Sequence, residues 1–285
     1  MDALATGGAI LLGVTLVFGT VLAIANKYLR VIEDPRIDVV EGKLPGSNCG
    51  ACGQPGCRAF AEAVVGGALN PGKCSVSSPE GIADIAAYLG VEAAMEEKRV
   101  ARLHCAGGSS CVPKVADYQG MSSCRAAFVV NGGGRACAWG CLGLADCEVA
   151  CTFDAIRMNG DHLPVVDVDK CTACNACVEV CPLHLFTLEP ISRRLIVQCS
   201  SPLAADAARA TCTVACDACG RCALDAKPGV IEMKRGLPVI VNPAGATEEA
   251  TFRCPSGAIQ WVTGNQFQAE DARPVSRPVR RIRHA

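Results

Sequence analysis

The sequence predicts an N-terminal transmembrane helix followed by small α+β modules held together by metal rather than by large apolar cores. Three observations carry this. Residues Ala3 to Asn26 hold no charged side chain. The chain of 285 residues has 21 cysteines in a few tight groups but only 4% aromatic residues. The cysteine pattern of residues 124–181 returns, with losses, over residues 199–254. Modules short of core need staples, either disulfides or metal.

The first element is the anchor, residues 1–26. About 20 apolar residues span a bilayer. A cleaved signal peptide would begin with basic residues, whereas this chain begins Met1-Asp2 and its basic residues Lys27, Arg30 and Arg36 follow the apolar run. The positive-inside rule then places the chain from residue 27 onward in the cytoplasm, on a single pass through the inner membrane. A cytoplasmic chain stays reduced, so a disulfide scaffold is disfavoured. A net charge of −1 argues against nucleic acid as a partner.

Residues 27–45 read as a polar linker ending in Leu44-Pro45-Gly46. The first cysteine module, residues 46–98, carries Cys49-x2-Cys52-x4-Cys57-x16-Cys74. Gly50, Gly53 and Gly56 let the backbone fold closely round a metal centre. Arg58 to Leu69 is expected as a helix stopped by Asn70-Pro71-Gly72, and Pro79 to Leu89 as a second helix ending at Gly90. Val91 to Lys98 is expected to extend helical structure. Four thiolates in one module also suit zinc, which stays open here. Residues 99–136 connect to the next module and begin strand-like at Arg99 to Cys105.

The second module, residues 137–190, holds Cys137-x3-Cys141-x5-Cys147-x3-Cys151 and then Cys171-x2-Cys174-x2-Cys177-x3-Cys181-Pro182. The latter run is an iron–sulfur signature. One short loop wraps three corners of a [4Fe-4S] cube, and in two-cluster ferredoxins the fourth cysteine of the run serves the other cube. Crossing the fourth ligands gives Cys137, Cys141, Cys147 and Cys181 to one cluster, and Cys151, Cys171, Cys174 and Cys177 to the other. Ile156 and Leu163 to Val166 mark short strands between the loops. The module is therefore expected to be ferredoxin-like.

The third module, residues 191–262, is a degraded copy. Cys124-x12-Cys137-x3-Cys141 matches Cys199-x12-Cys212-x3-Cys216, and Cys254-Pro255 matches Cys181-Pro182. Ala226 stands where Cys151 stands, and the run equivalent to Cys171 to Cys177 is absent between Ala244 and Phe252. One cluster's ligands are lost together, as crossed ligation predicts. Cys216, Cys222 and Cys254 remain for the other cluster. Its fourth ligand is Cys212 by repeat symmetry or Cys219 by loop spacing; Cys216-x2-Cys219-x2-Cys222 favours Cys219. Residues 263–285 form a basic tail, of which the locally basic stretch Arg273 to Arg283 is read as a solvated end.

Four [4Fe-4S] clusters thus take sixteen cysteines. A fifth from Cys105, Cys124, Cys199 and Cys212 stays open beside the simpler reading that these, with Cys111, are buried spare thiols. No GxGxxG follows a strand, so no dinucleotide site is expected. A membrane-tethered reductase of a soluble regulator would use the same clusters, and a zinc-stabilised interaction module would use the same thiols.

The residues also resemble a known family. The anchor, Glu33-Asp34-Pro35-Arg36, Leu44 to Gly53 with Gly56-Cys57, Tyr118-Gln119-Gly120, Cys124, and Cys137-Ala138-Trp139-Gly140-Cys141-Leu142-Gly143 are similar to the B subunit of the Rnf (Rsx) electron-transport complex. That resemblance implies a four-iron domain and ferredoxin-like domains in an ion-translocating ferredoxin:NAD oxidoreductase. It further implies soluble ferredoxin as the cytoplasmic redox partner and other membrane and peripheral subunits as neighbours. The missing cluster of the third module departs from the fullest family pattern.

Overall fold

The computed structural model describes residues 2–29, 33–94 and 96–268. Arg30 and the basic stretch Arg273 to Arg283 lie outside the described residues. The first helix, α1 (Asp2–Leu29), contains a 23-residue span, Thr6–Tyr28, long and apolar enough to cross a membrane. Its large side chains, among them Leu11, Phe18 and Leu22, point away from the rest of the protein.

The four-iron domain begins earlier than its cysteines suggest. Residues 35–43, expected as linker, form α2 (Pro35–Lys43). Asp34 caps it by accepting the Arg36 N–H at 2.9 Å, with Pro35 at the first helical position. Val40 and Leu44 are buried against Phe60, Ala61 and Val64 of α3 (Cys57–Val65) and Ile85 of α4 (Pro79–Leu89). Ser78 caps α4, and Gly90 ends it in the left-handed region at φ 68°. The helical extension expected over Val91 to Lys98 does not form among the described residues. The Asn70 side chain binds the Glu92 carbonyl and the Ala94 N–H instead, drawing the chain past the α3–α4 connection.

The second and third modules repeat one plan. In the second, β1 (Arg99–Leu103) leads through α5 (Cys124–Val129) and α6 (Asp146–Val149) to the hairpin β2 (Ile156–Met158) and β3 (Pro164–Val166). Then follow α7 (Ala176–Val180) and β4 (Phe186–Pro190). β1 pairs antiparallel with β4, and β2 with β3. In the third, β5 (Leu195–Val197), α8 (Ala205–Thr211), α9 (Arg221–Asp225), β6 (Ile231–Lys234), β7 (Leu237–Ile240), α10 (Glu249–Phe252) and β8 (Ile259–Trp261) follow in order. β5 pairs with β8, and β6 with β7. An outer strand pair clasps an inner hairpin in both. The strand at Arg99 therefore belongs to the second module, although the cysteines of that module begin much later.

Residues just past the third module dock on the second. Gln266 exchanges hydrogen bonds with both backbone groups of Leu103, at 2.9 and 2.6 Å. Asn265 accepts the Val168 N–H at 3.0 Å, and Phe267 packs on the second module's core. The chain thus returns to lock the second module.

Candidate metal centres

Three small recesses are each ringed by four cysteines. The first is lined by Cys49, Cys52, Cys57 and Cys74, the second by Cys151, Cys171, Cys174 and Cys177, and the third by Cys216, Cys219, Cys222 and Cys254. Cys151 reaches the Cys171 loop from the other half of its module. Cys219, not Cys212, lines the third ring.

The loops share a backbone path. Residues two and four places after Cys141, Cys171 and Cys216 all have left-handed φ: Gly143 and Ala145, Ala173 and Asn175, Ala218 and Gly220. Alanine is disfavoured there by about 1–2 kcal/mol, so the turns persist for what they hold. They aim N–H groups at sulfur. The N–H groups of Gly143, Ala176 and Ala218 point at Cys141, Cys174 and Cys216. The remote cysteines match as well: Ala155 N–H donates to Cys151 Sγ at 3.3 Å and Leu185 N–H to Cys181 Sγ at 3.4 Å.

That common path groups one expected set differently. The loop cysteine equivalent to Cys171 is Cys141, and Leu144 stands where Cys174 stands. Cys137 lies outside the loop. It is buried beside Cys212, with Cys199 packed on the same cluster, rather than beside Cys147 and Cys181. Cys124, from the start of α5, takes the open place. Burial pushes the Cys147 thiol well up, and the neighbouring Cys141, Cys124, Cys177 and Cys181 thiols oppose its ionisation further. Burial also raises the Cys124 thiol, which has Cys181 beside it. Cys124, Cys141, Cys147 and Cys181 form the fourth group. Its only signal in the sequence was Cys141-x2-Leu144-x2-Cys147, a three-corner loop one cysteine short.

These residues fit iron–sulfur cubes. Among the described residues, no three His, Cys, Asp or Glu side chains gather closely enough to hold a single metal ion. Thr172 Oγ1 and Ser256 Oγ are buried without a protein partner, and each lines one of the recesses. Arg102 is 1% exposed near Cys171, and its Nε also lacks a partner. Buried charges are ordinarily paired; an anionic cluster ligated by thiolates suits this one.

Family models agree. The Fe-S cluster family matches residues 44–76, and the 4Fe-4S binding domain matches residues 164–184.

Thiol rings in series on ferredoxin-like modules define a multi-cluster iron–sulfur electron-transfer protein. The B subunit of the Na(+)-translocating ferredoxin:NAD(+) oxidoreductase complex of Acetobacterium woodii is 44% identical over 201 residues, 70% of this chain and 60% of that relative, so the match leaves over a third of it unspanned. The B subunit of the ion-translocating oxidoreductase complex of Methanosarcina acetivorans is 34% identical over 88% of this chain and 96% of its own length. That of the proton-translocating ferredoxin:NAD(+) oxidoreductase complex of Clostridium ljungdahlii is 37% identical over 90% and 92%. The chain belongs to this family, the B subunits of ion-translocating oxidoreductase complexes. It is an iron–sulfur subunit of a membrane-associated, multi-subunit oxidoreductase.

Proposed function

We propose that this chain carries electrons between soluble ferredoxin and the membrane subunits of an ion-translocating ferredoxin:NAD oxidoreductase. It works on the cytoplasmic face of the inner membrane, held by a single span. The names of the Acetobacterium and Clostridium relatives support ferredoxin and NAD as the couples.

The observation that carries this reading is the succession of thiol groups leading away from the anchored domain. Ser75, beside Cys74, donates a hydrogen bond to the Thr172 carbonyl at 2.7 Å. Burial raises the Cys174 thiol, and Cys49 of the first ring adds to the effect across that contact. Cys177 of the second ring stands in the same relation to Cys147 of the next group.

Four [4Fe-4S] clusters are assigned to Cys49, Cys52, Cys57 and Cys74; to Cys151, Cys171, Cys174 and Cys177; to Cys124, Cys141, Cys147 and Cys181; and to Cys216, Cys219, Cys222 and Cys254. A bound cluster supplies one-electron acceptance and release, at a potential set by ligation, hydrogen bonds to sulfur, charge and burial. The chain's own part is to hold the thiolates, aim N–H groups at them and keep water away.

Anaerobically purified protein should be brown. Mixing it with reduced ferredoxin should bleach its visible absorbance at a rate that rises with ferredoxin concentration. Bleaching by dithionite but not by ferredoxin would remove ferredoxin as the partner. A cytoplasmic reporter fused after Ala285 should be active; activity of a periplasmic reporter there would reverse the orientation.

A further inference from the structure

We infer that Cys105, Cys137, Cys199 and Cys212 hold a fifth [4Fe-4S] cluster where the second and third modules meet. The inference rests on the electron-transfer reading above and adds a site outside its four ligand groups. The four thiols come from separate stretches: after β1, before the Cys141 loop, after β5, and at the end of α8. Cys137 and Cys212 are buried in one cluster with Val112 and Ala208, and Cys199 packs on it.

Two glycines tie Cys105 to the same point. A Cβ on Gly107 would lie 3.1 Å from Cys212 Sγ and 3.6 Å from Cys105 Sγ. A Cβ on Gly140 would lie 3.3 Å from Cys137 Sγ and 3.6 Å from Cys105 Sγ. The Cys105 sulfur is thus no farther from either of the other two than each pair of distances combined. A side chain at either glycine would press against these sulfurs.

Backbone N–H groups meet these sulfurs too, without the left-handed turns of the other loops. Gly107 N–H donates to Cys105 Sγ at 3.4 Å, and the N–H groups of Trp139 and Val214 point at Cys137 and Cys212, each two residues on. Cys105 Sγ accepts a second bond, from Cys141 N–H at 3.3 Å. A spare thiol packs as a small hydrophobe and asks for no such donors.

The repeat accounts for the four. Leu144 leaves the second module's loop one thiol short, and Cys124 completes it. The third module has Cys219 at that place, which frees Cys199, the counterpart of Cys124. Cys137 and its counterpart Cys212 lie outside both loops. These three leftover thiols meet at Cys105. Arg135 braces the site by donating to the Gly107 and Gly108 carbonyls at 2.8 and 2.9 Å, while its buried Nε has no protein partner. The site stands between the Cys141 group, through the Cys141 N–H, and the Cys216 ring, whose burial-raised thiol has Cys199 beside it. Cys111 is the one thiol left over.

The test is iron and acid-labile sulfide per chain in full-length, anaerobically reconstituted protein, with spin counting of the reduced form by EPR. Five cubes give about twenty irons. The Cys105→Ala/Cys212→Ala double variant should lose about four irons and one cluster's spin, and Cys111→Ala should lose neither. A wild-type value settling near sixteen would overturn the fifth site and leave the electron-transfer reading standing. A value of four or fewer would overturn both. Loss of a cluster in Cys111→Ala would overturn this ligand set. Should the double variant fail to fold, the wild-type count and Cys111→Ala decide between these outcomes.

Discussion

The second and third modules share one backbone plan and differ in what fills it. Each clasps a short hairpin between an outer strand pair. In the second, both ends of the hairpin face thiol rings. In the third, one end faces the Cys216 ring and the other an apolar plug. Ala226 sits in the place of Cys151, and a cysteine-free stretch from Pro243 to Glu248 stands where the Cys171 loop does, ahead of α10, the counterpart of α7. Ala226, Ala246 and Ala250 pack there with Val230 and Ile231. Arg253 and Asp225 form an ion pair that ties α10 to α9. A cube that lost one ligand would leave a buried, under-coordinated iron corner. Losing all four ligands and closing the space with small side chains restores packing, so the ligands disappear as a set.

This comparison predicts unequal dependence on metal. The third module has one ring and a small core; the second has two rings and a core including Leu103, Ile156 and Phe186. Cys222→Ala should therefore unfold the third module and expose residues 191–262 to limited proteolysis. Cys177→Ala should cost one cluster and leave the second module resistant. Equal sensitivity of the two would break the comparison.

A second prediction tests the plug. Ala250 is 1% exposed, and an unpaired carboxylate buried there costs several kcal/mol. Ala250→Asp should lower the thermal unfolding of the third module by more than 10 °C, about what 2 kcal/mol or more shifts a small domain. The EPR signals of the second module's clusters should not change.

The remaining two effects are smaller. Gln266→Ala removes two hydrogen bonds to β1, each worth about 0.5–1.5 kcal/mol, and should loosen the second module but not the third. Hydrogen exchange at Leu103 should report it. Arg135→Gln removes a positive charge that favours the thiolate forms of Cys137 and Cys141 against the larger opposing effect of burial. Redox titration should show the neighbouring clusters shifted to more negative potential by tens of millivolts, where about 59 mV is a tenfold change for one electron.

Much of the site was legible because iron–sulfur ligation is local. In three of the four groups, three cysteines lie within seven to nine residues of one another, and spacing reveals them. Crossed ligation was legible from what the third module lacks. The exchange of Cys137 for Cys124 was not. It depends on Gly143 and Ala145 following the same left-handed path as Ala173 and Asn175, which spacing does not encode. Cys105 gathers with thiols 32 to 107 residues away in the chain, so its role needed the fold. The helix α2 was hidden by its polar composition, although Asp34-Pro35 was a legible start signal. The docking of Gln266 and Phe267 depends on tertiary contacts and left no pattern in the sequence.

The crossing of ligands inside the second module is the central claim, and iron counting in paired variants tests it most directly. Cys147 and Cys151 are four residues apart but belong to different rings; Cys151 and Cys171 are twenty apart but share one. In the full-length protein, Cys151→Ala/Cys171→Ala should remove one cluster, about four irons, and Cys147→Ala/Cys151→Ala should remove two, about eight. If the Cys147/Cys151 pair removes only one cluster and the Cys151/Cys171 pair removes two, the ligands are not crossed and the module is not built as a two-cluster ferredoxin.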